Sequence, residues 1–213
     1  MGQGQGQGRH GGHLGAVYGA SDAEEIARSY DAWAETYEAD MAKAGYRHPA
    51  ICLALLARHL PRGAGPILDA GCGTGLLGDW LGPLGLGPVD GLDLSAGMLA
   101  VAARKGCYRQ LHRLALGSAL PFADGAYGGI VSAGVFTTGH VGAEALGELG
   151  RICRAGGALV VTVKSPIWND GFAARAQEAG LAQVEASAPY VSMPGEEGTV
   201  PSIAAVFRRV GGG

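Results

Sequence analysis

Apolar positions along the chain change rhythm at two points, and the rhythm predicts the elements. From Ser21, the residues Ile26, Tyr30, Trp33, Tyr37 and Met41 recur at helical intervals, and Ser21 and Glu24 have the spacing of a capping box. One amphipathic helix is predicted over 22–43. Pro49 suits the first turn of a second helix, whose Ile51, Leu53, Leu55, Leu56 and Leu60 end at Pro61. From Pro66, short apolar runs alternate with helical segments. Strands are predicted over 67–70, 89–94, 109–116, 130–135 and 158–164, with helices over 76–81, 96–105 and 144–154. A helix over 172–179 and closing strands over 184–191 and 203–209 complete the pattern. This alternation predicts βαβ units and a doubly wound α/β fold around a mostly parallel sheet.

Residues 1–20 have no such rhythm. Their Gly-Gln repeats and the Gly11, Gly12 pair cannot bury enough apolar surface to offset ordering entropy, so a flexible tail is expected and His10 and His13 are not read as metal ligands. The expected organisation is a tail over 1–20 and a single domain over 21–210. Within that domain, 21–62 form a helical cap and 63–210 a Rossmann-like core.

With 47% apolar and 16% charged residues, the 213-residue chain has enough interior for one domain without disulfide or metal. The formal net charge of −3 supplies no positive field for nucleic acid or an anionic membrane, so neither is expected as a partner. Cys52, Cys72, Cys107 and Cys153 contain no Cys-x-x-Cys pair, which argues for reduced thiols and a cytoplasmic location and against a zinc site. No apolar run reaches the length of a membrane span.

The chemistry concentrates at Asp69-Ala70-Gly71-Cys72-Gly73-Thr74-Gly75. An acid closes the first core strand, and alternate glycines then permit positive φ and close backbone approach to a ligand before the next helix. Asp93 closes the following strand, where a carboxylate can accept both hydroxyls of a ribose. Strand, glycine turn, helix and second acid together describe a nucleoside pocket. A dinucleotide fingerprint would carry Gly or Ala where Leu76 stands. Neither a Tyr-x-x-x-Lys pair nor the Gly-Lys-Ser/Thr ending of a phosphate loop is present.

Residues 67–76 resemble the first motif of class I S-adenosylmethionine-dependent methyltransferases, and 91–99 resemble their second. Ala119-Leu120-Pro121-Phe122 is similar to the segment leading into their fourth strand, and Arg154-Ala155-Gly156-Gly157 to the turn before their fifth. Tyr30-Asp31-Ala32-Trp33 and Gly45-Tyr46-Arg47-His48-Pro49 resemble the amino-terminal cap of the Williams-Beuren-region methyltransferase-like proteins and their bacterial relatives. The resemblance implies a seven-stranded, mostly parallel sheet. It also implies S-adenosyl-L-methionine as cofactor, with S-adenosyl-L-homocysteine as product.

Residue roles follow from that resemblance. Asp69 would meet the methionine ammonium, directly or through water. Gly71 and Gly73, with Ala70, Cys72 and Gly75 of the same loop, would admit the ligand to the backbone. Asp93 would hold the ribose, and Leu94 and Met98 would flank the adenine; Met98 reads equally well as core. The family commonly has an acid before Leu-Pro-Phe, but here Gly117, Ser118 and Ala119 stand there, leaving the adenine edge to a hydroxyl and backbone groups. Gly128 and Gly129 likewise replace a frequent Asp. Ala133 and Gly134 would sit beside the sulfonium.

Tyr30, Tyr37 and Tyr46 would close over the donor, where an aromatic face favours a cation; alternatively Tyr30, Trp33 and Tyr37 pack the cap on the sheet. In-line methyl transfer gains much from alignment and needs no obligatory acid or base. Should the acceptor be a hydroxyl, His140 is the candidate base, against its reading as a surface residue.

A small-molecule acceptor is expected from the pocket and the absence of a basic surface, and the lack of Asn-Pro-Pro-Tyr, with Asn169 the only asparagine, disfavours methylation of DNA bases or protein glutamine. Two other functions stay open: a nicotinamide-dependent oxidoreductase, and an adenosylmethionine-binding protein without transferase activity. Oligomeric state is not legible.

Overall fold

The computed structural model describes residues 23–137 and 141–211. The expected tail over 1–20, Ser21 of the capping box and His140 lie outside the described residues. Three helices open the structure: α1 (Ala23–Trp33), α2 (Tyr37–Ala44) and α3 (His48–His59). The single helix expected over 22–43 is therefore divided. Thr36 N donates to the Trp33 carbonyl at 3.1 Å, closing a turn, and Trp33 Nε1 donates to Asp40 Oδ2 at 2.8 Å. The periodicity survives the break because Trp33 and Met41, on different helices, enter the same apolar cluster with Ala44 and Met193. Spacing reports which residues face inward; it does not report continuity of the axis.

Gly45 ends α2 in the left-handed conformation (φ 68°), and Pro49 sits in the first turn of α3.

The core strands are β1 (Ile67–Ala70), β2 (Val89–Asp93), β3 (Gln110–Arg113), β4 (Tyr127–Phe136), β5 (Cys153–Lys164), β6 (Leu181–Ala186) and β7 (Ser202–Arg209). Between them lie α4 (Gly78–Leu81), α5 (Ala96–Lys105), α6 (Leu146–Ile152) and α7 (Ala173–Glu178). They form one seven-stranded sheet in the order β3-β2-β1-β4-β5-β7-β6. The first five strands are parallel, and β7 runs antiparallel between β5 and β6. The order reverses between β1 and β4, so the doubly wound expectation holds and the switch point lies beside the glycine loop.

Alternate residues of β5 supply both faces. Leu159, Val161 and Val163 join Leu146, Leu149 and Phe172, whereas Ala158 and Val160 join Leu55, Leu56 and Leu81. Leu55 and Leu56 thus pack α3 directly against the sheet. Asp90, buried on β2, is gripped by Arg109 (Nη2–Oδ2 2.6 Å, Nε–Oδ1 2.9 Å) and receives the Tyr127 hydroxyl at 3.1 Å. That network fastens β2, β3 and β4 at the end of the sheet away from the glycine loop.

Several boundaries differ from expectation, among them β3, which spans Gln110–Arg113 rather than 109–116. β6 begins at Leu181 and ends before residue 191, because it is an edge strand with only its first residue buried and little alternation to mark it. β4 and β5 run longer than their apolar cores. The turn at Arg154–Gly157 is absorbed into β5 as a bulge, where pairing jumps from Tyr127↔Cys153 to Gly129↔Ala158. Gly128 has a steric reason, since a Cβ there would collide with the Ala64 carbonyl oxygen. Among the described residues no helix is long and apolar enough to cross a membrane.

Candidate functional site

The parallel strands point their carboxyl ends at one edge, where Ala70, Asp93, Phe136 and Lys164 terminate β1, β2, β4 and β5. From β1 the chain turns through Gly71 (φ 80°) and Gly73 (φ 53°), and the Val135 side chain occupies the space a Cβ on Gly71 would need. The Gly71 and Cys72 amides donate to the Leu92 carbonyl at 2.7 and 2.9 Å. The Gly73 amide donates to Asp93 Oδ2 at 2.8 Å, and the Ser95 amide to Oδ1 at 2.9 Å. Asp93 is thereby fixed at the edge of the cleft. Burial raises its pKa, and these backbone bonds oppose the rise.

Around this carboxylate lies a cleft of about 910 Å³. Its roof is Ile26, Ala27 and Tyr30 of α1 with Tyr37 and Tyr46; its floor is Gly71, Gly73 and Leu92–Ser95. Met98 and Leu114–Leu116 make one end, and Ala133–Val135 with Val141 the other. Of the residues expected at a site, Tyr30, Tyr37, Tyr46, Gly71, Gly73, Asp93, Leu94, Met98, Ala133 and Gly134 line this one space.

Other expected residues do not. Asp69 is 1% exposed beneath the loop, where Oδ2 accepts the Tyr108 hydroxyl at 2.8 Å. Burial pushes its pKa up to about 7, the Tyr108 bond resists this, and the Asp93 charge adds to it. Ala70 and Cys72 are buried, burial pushes the Cys72 thiol up, and Gly75 faces Tyr108. Gly117, Ser118 and Ala119 are exposed and outside the cleft. Gly117 (φ 90°) turns the chain away after Leu116, and the Leu120 amide is held by Glu148 at 2.7 Å, so the wall is Leu114–Leu116 instead.

A smaller chamber of about 380 Å³ adjoins the cleft and shares Tyr30, Tyr37, Tyr46 and Gly134 with it. Trp33, Met41 and Met193 form its apolar wall; His48, Thr137, Lys164 and Ser192 form its polar one. His48 Nδ1 lies 2.7 Å from the Tyr190 hydroxyl. Burial and the Lys164 charge hold the His48 pKa down to about 3, so the ring is neutral at physiological pH.

The family model for a methyltransferase domain matches residues 68–161, spanning the glycine loop, Asp93, β4 and most of β5. Human methyltransferase-like protein 27 is 33% identical over 156 residues, which cover 70% of this chain and 62% of the relative. A TehB-like SAM-dependent methyltransferase from Corynebacterium glutamicum is 26% identical with a TM-score of 0.63, covering 85% of this chain and 98% of that one. Over residues 68–161 the chain is similar to the methyltransferase-domain family, and its fold is that of class I S-adenosylmethionine-dependent methyltransferases. The chain also shares its fold, at 19% identity and a TM-score of 0.66, with a Haloferax volcanii putative methyltransferase seen in complex with its Trm112 activator, covering 85% of this chain and 98% of that chain. The chain spans about 62% of the length of its human relative.

These similarities imply S-adenosylmethionine as cofactor, and the cleft fits it. The Asp93 carboxylate lining the cleft suits a ribose diol, Leu94, Met98 and Leu114–Leu116 offer an apolar slot for a purine, and tyrosine faces suit a sulfonium.

Several residues escaped the sequence reading. Asp31 ties α1 to the start of α5, Tyr108 holds Asp69, and Leu114–Leu116 line the cleft where Gly117–Ala119 were expected. His48 was legible only as the start of a helix. Lys164 had a usable signal: a charged residue closes an apolar strand at its carboxyl end, the same arrangement that drew attention to Asp93. Among the described residues, no group of three or more His, Cys, Asp or Glu side chains is arranged to hold a metal.

Proposed function

We propose that this protein transfers a methyl group from S-adenosylmethionine to a small-molecule acceptor. The observation that carries the reading is Asp93, fixed by the Gly73 and Ser95 amides and open to the cleft. In this reading Asp93 accepts the ribose hydroxyls, while Gly71 and Gly73 let the main chain approach without intervening side chains. Leu94, Met98 and Leu114–Leu116 enclose the adenine, and Tyr30, Tyr37 and Tyr46 exclude water from the donor. When bound, the cofactor supplies a methyl carbon already activated by positive sulfur. The protein's own task is then alignment and desolvation, which accounts for a site without an obligatory acid or base. Asp69 acts from beneath, fixing the loop through Tyr108 rather than touching the ligand. The small chamber beside the cleft and the net charge of −3 favour a compact acceptor over a nucleic acid.

Calorimetry with S-adenosylhomocysteine and with NADH tests the reading. Binding of the first alone is expected, weakened at least roughly tenfold in Asp93→Ala, the scale of one lost charge-assisted hydrogen-bond pair. Affinity for NADH, or an Asp93→Ala protein that binds S-adenosylhomocysteine as wild type does, overturns it. Methyl transfer from labelled S-adenosylmethionine to an acceptor panel then separates a transferase from a protein that only binds the cofactor.

A further inference from the structure

The polar wall of the smaller chamber holds a buried cation with no anion. Lys164 is 6% exposed, and among the described residues no carboxylate lies within ion-pair distance of it. Its Nζ donates to the Val200 carbonyl at 2.9 Å and reaches Ser192 Oγ only at 3.4 Å, which leaves donor capacity unused. Burial lowers its pKa to about 8, so the ammonium is still the dominant form at neutral pH. Beside it, Thr137 is 7% exposed, and its Oγ1 is buried with no hydrogen-bond partner. A buried cation and a buried unmet hydroxyl each cost free energy unless something in the chamber satisfies them.

We infer that the chamber is the acceptor subsite and takes a small organic acid, whose carboxylate sits against Lys164 and Thr137 and whose apolar body lies along Trp33, Met41 and Met193. This rests on the proposed methyl-transfer function and names its substrate class. Lys164 belongs to the chamber and not to the cleft. The carboxylate is therefore held at the end away from the cofactor, and the methyl-accepting atom lies toward the neck formed by Tyr46 and Gly134. His48, neutral and bonded to Tyr190, gives the acid no competing charge.

The test compares 4-hydroxyphenylacetate with its neutral amide, titrated into the full chain with and without saturating S-adenosylhomocysteine. The acid is expected to bind roughly ten- to hundredfold more tightly than the amide, in line with a charge-assisted hydrogen bond. Lys164→Met should erase that preference, Lys164→Arg should retain part of it, and Thr137→Val should weaken acid binding severalfold. S-adenosylhomocysteine affinity should stay unchanged in all three. Equal binding of acid and amide, binding of neither, or a preference that survives in Lys164→Met overturns the inference. So does a loss of S-adenosylhomocysteine affinity in Lys164→Met, which would assign the lysine to the cofactor's own carboxylate. Should wild type bind no S-adenosylhomocysteine, the cofactor reading fails, and the acid-against-amide comparison without it still decides the chamber. If Lys164→Met does not fold, Thr137→Val carries the decision.

Discussion

Asp31 on α1 accepts the Ser95 hydroxyl at 2.5 Å and the Gly97 amide at 2.7 Å with the same oxygen, Oδ1. Ser95 is also the cap of α5, its Oγ accepting from the Met98 amide at 3.0 Å. One carboxylate therefore bolts the roof of the cleft to the start of the helix that follows Asp93. Gly97 makes the contact possible, since a Cβ there would come within 2.9 Å of the Asp31 backbone.

Asp31→Ala is expected to cost about 1 kcal/mol of stability, the scale of an exposed cap bond, and to loosen α1. Hydrogen exchange over residues 23–33 should accelerate, and S-adenosylhomocysteine affinity should fall without a change at Asp93. Exchange at the wild-type rate in the variant would show that the roof is held by packing alone.

Tyr108→Phe removes the one side-chain donor to Asp69. The folded-state pKa of Asp69 is already raised from 3.8 to about 7, so the folded protein binds this proton more tightly than the unfolded chain does. Its contribution to stability is full below the unfolded value and declines as pH rises through the window from 3.8 to about 7. Losing the Tyr108 bond raises the folded pKa further and extends that decline. The variant should lose about 1–3 kcal/mol at pH 8 and less at pH 5, read by urea unfolding at both. A loss independent of pH would mean that Tyr108 matters for packing against Gly78 rather than for the carboxyl.

Gly134 has φ 77°, and a Cβ on it would overlap the Tyr46 hydroxyl at the neck between cleft and chamber. Gly134→Ala should destabilise by about 1–3 kcal/mol, part from the left-handed backbone and part from the clash. Adding Tyr46→Phe should recover the steric part only. A double-mutant cycle on thermal unfolding measures this coupling, and strict additivity would exclude the clash.

What the sequence made legible follows from the range of each signal. The sheet, the glycine turn and Asp93 were readable because strand–turn–helix order and a terminal acid are local patterns. The placement of Asp69 beneath the loop was not legible, because position in a motif does not reveal a bond to Tyr108, a residue 39 positions away. The adenine wall was expected three residues too late because the turn at Gly117 and the Glu148 bond to Leu120 are tertiary. The division of the first helix was hidden for a related reason, since both halves feed one cluster. Lys164, Thr137 and His48 come from β5, the end of β4 and α3, and no spacing rule connects them.

Within the glycine loop the residues take turns. Gly71 and Gly73 present bare main chain to the cleft, while Cys72 and Thr74 are buried. Recognition and anchoring are thus carried by interleaved positions of one short segment. Substitutions at Cys72 or Thr74 will register as altered melting behaviour while the contact surface keeps its shape, and no side chain added at Gly71 can enlarge that surface without displacing Val135.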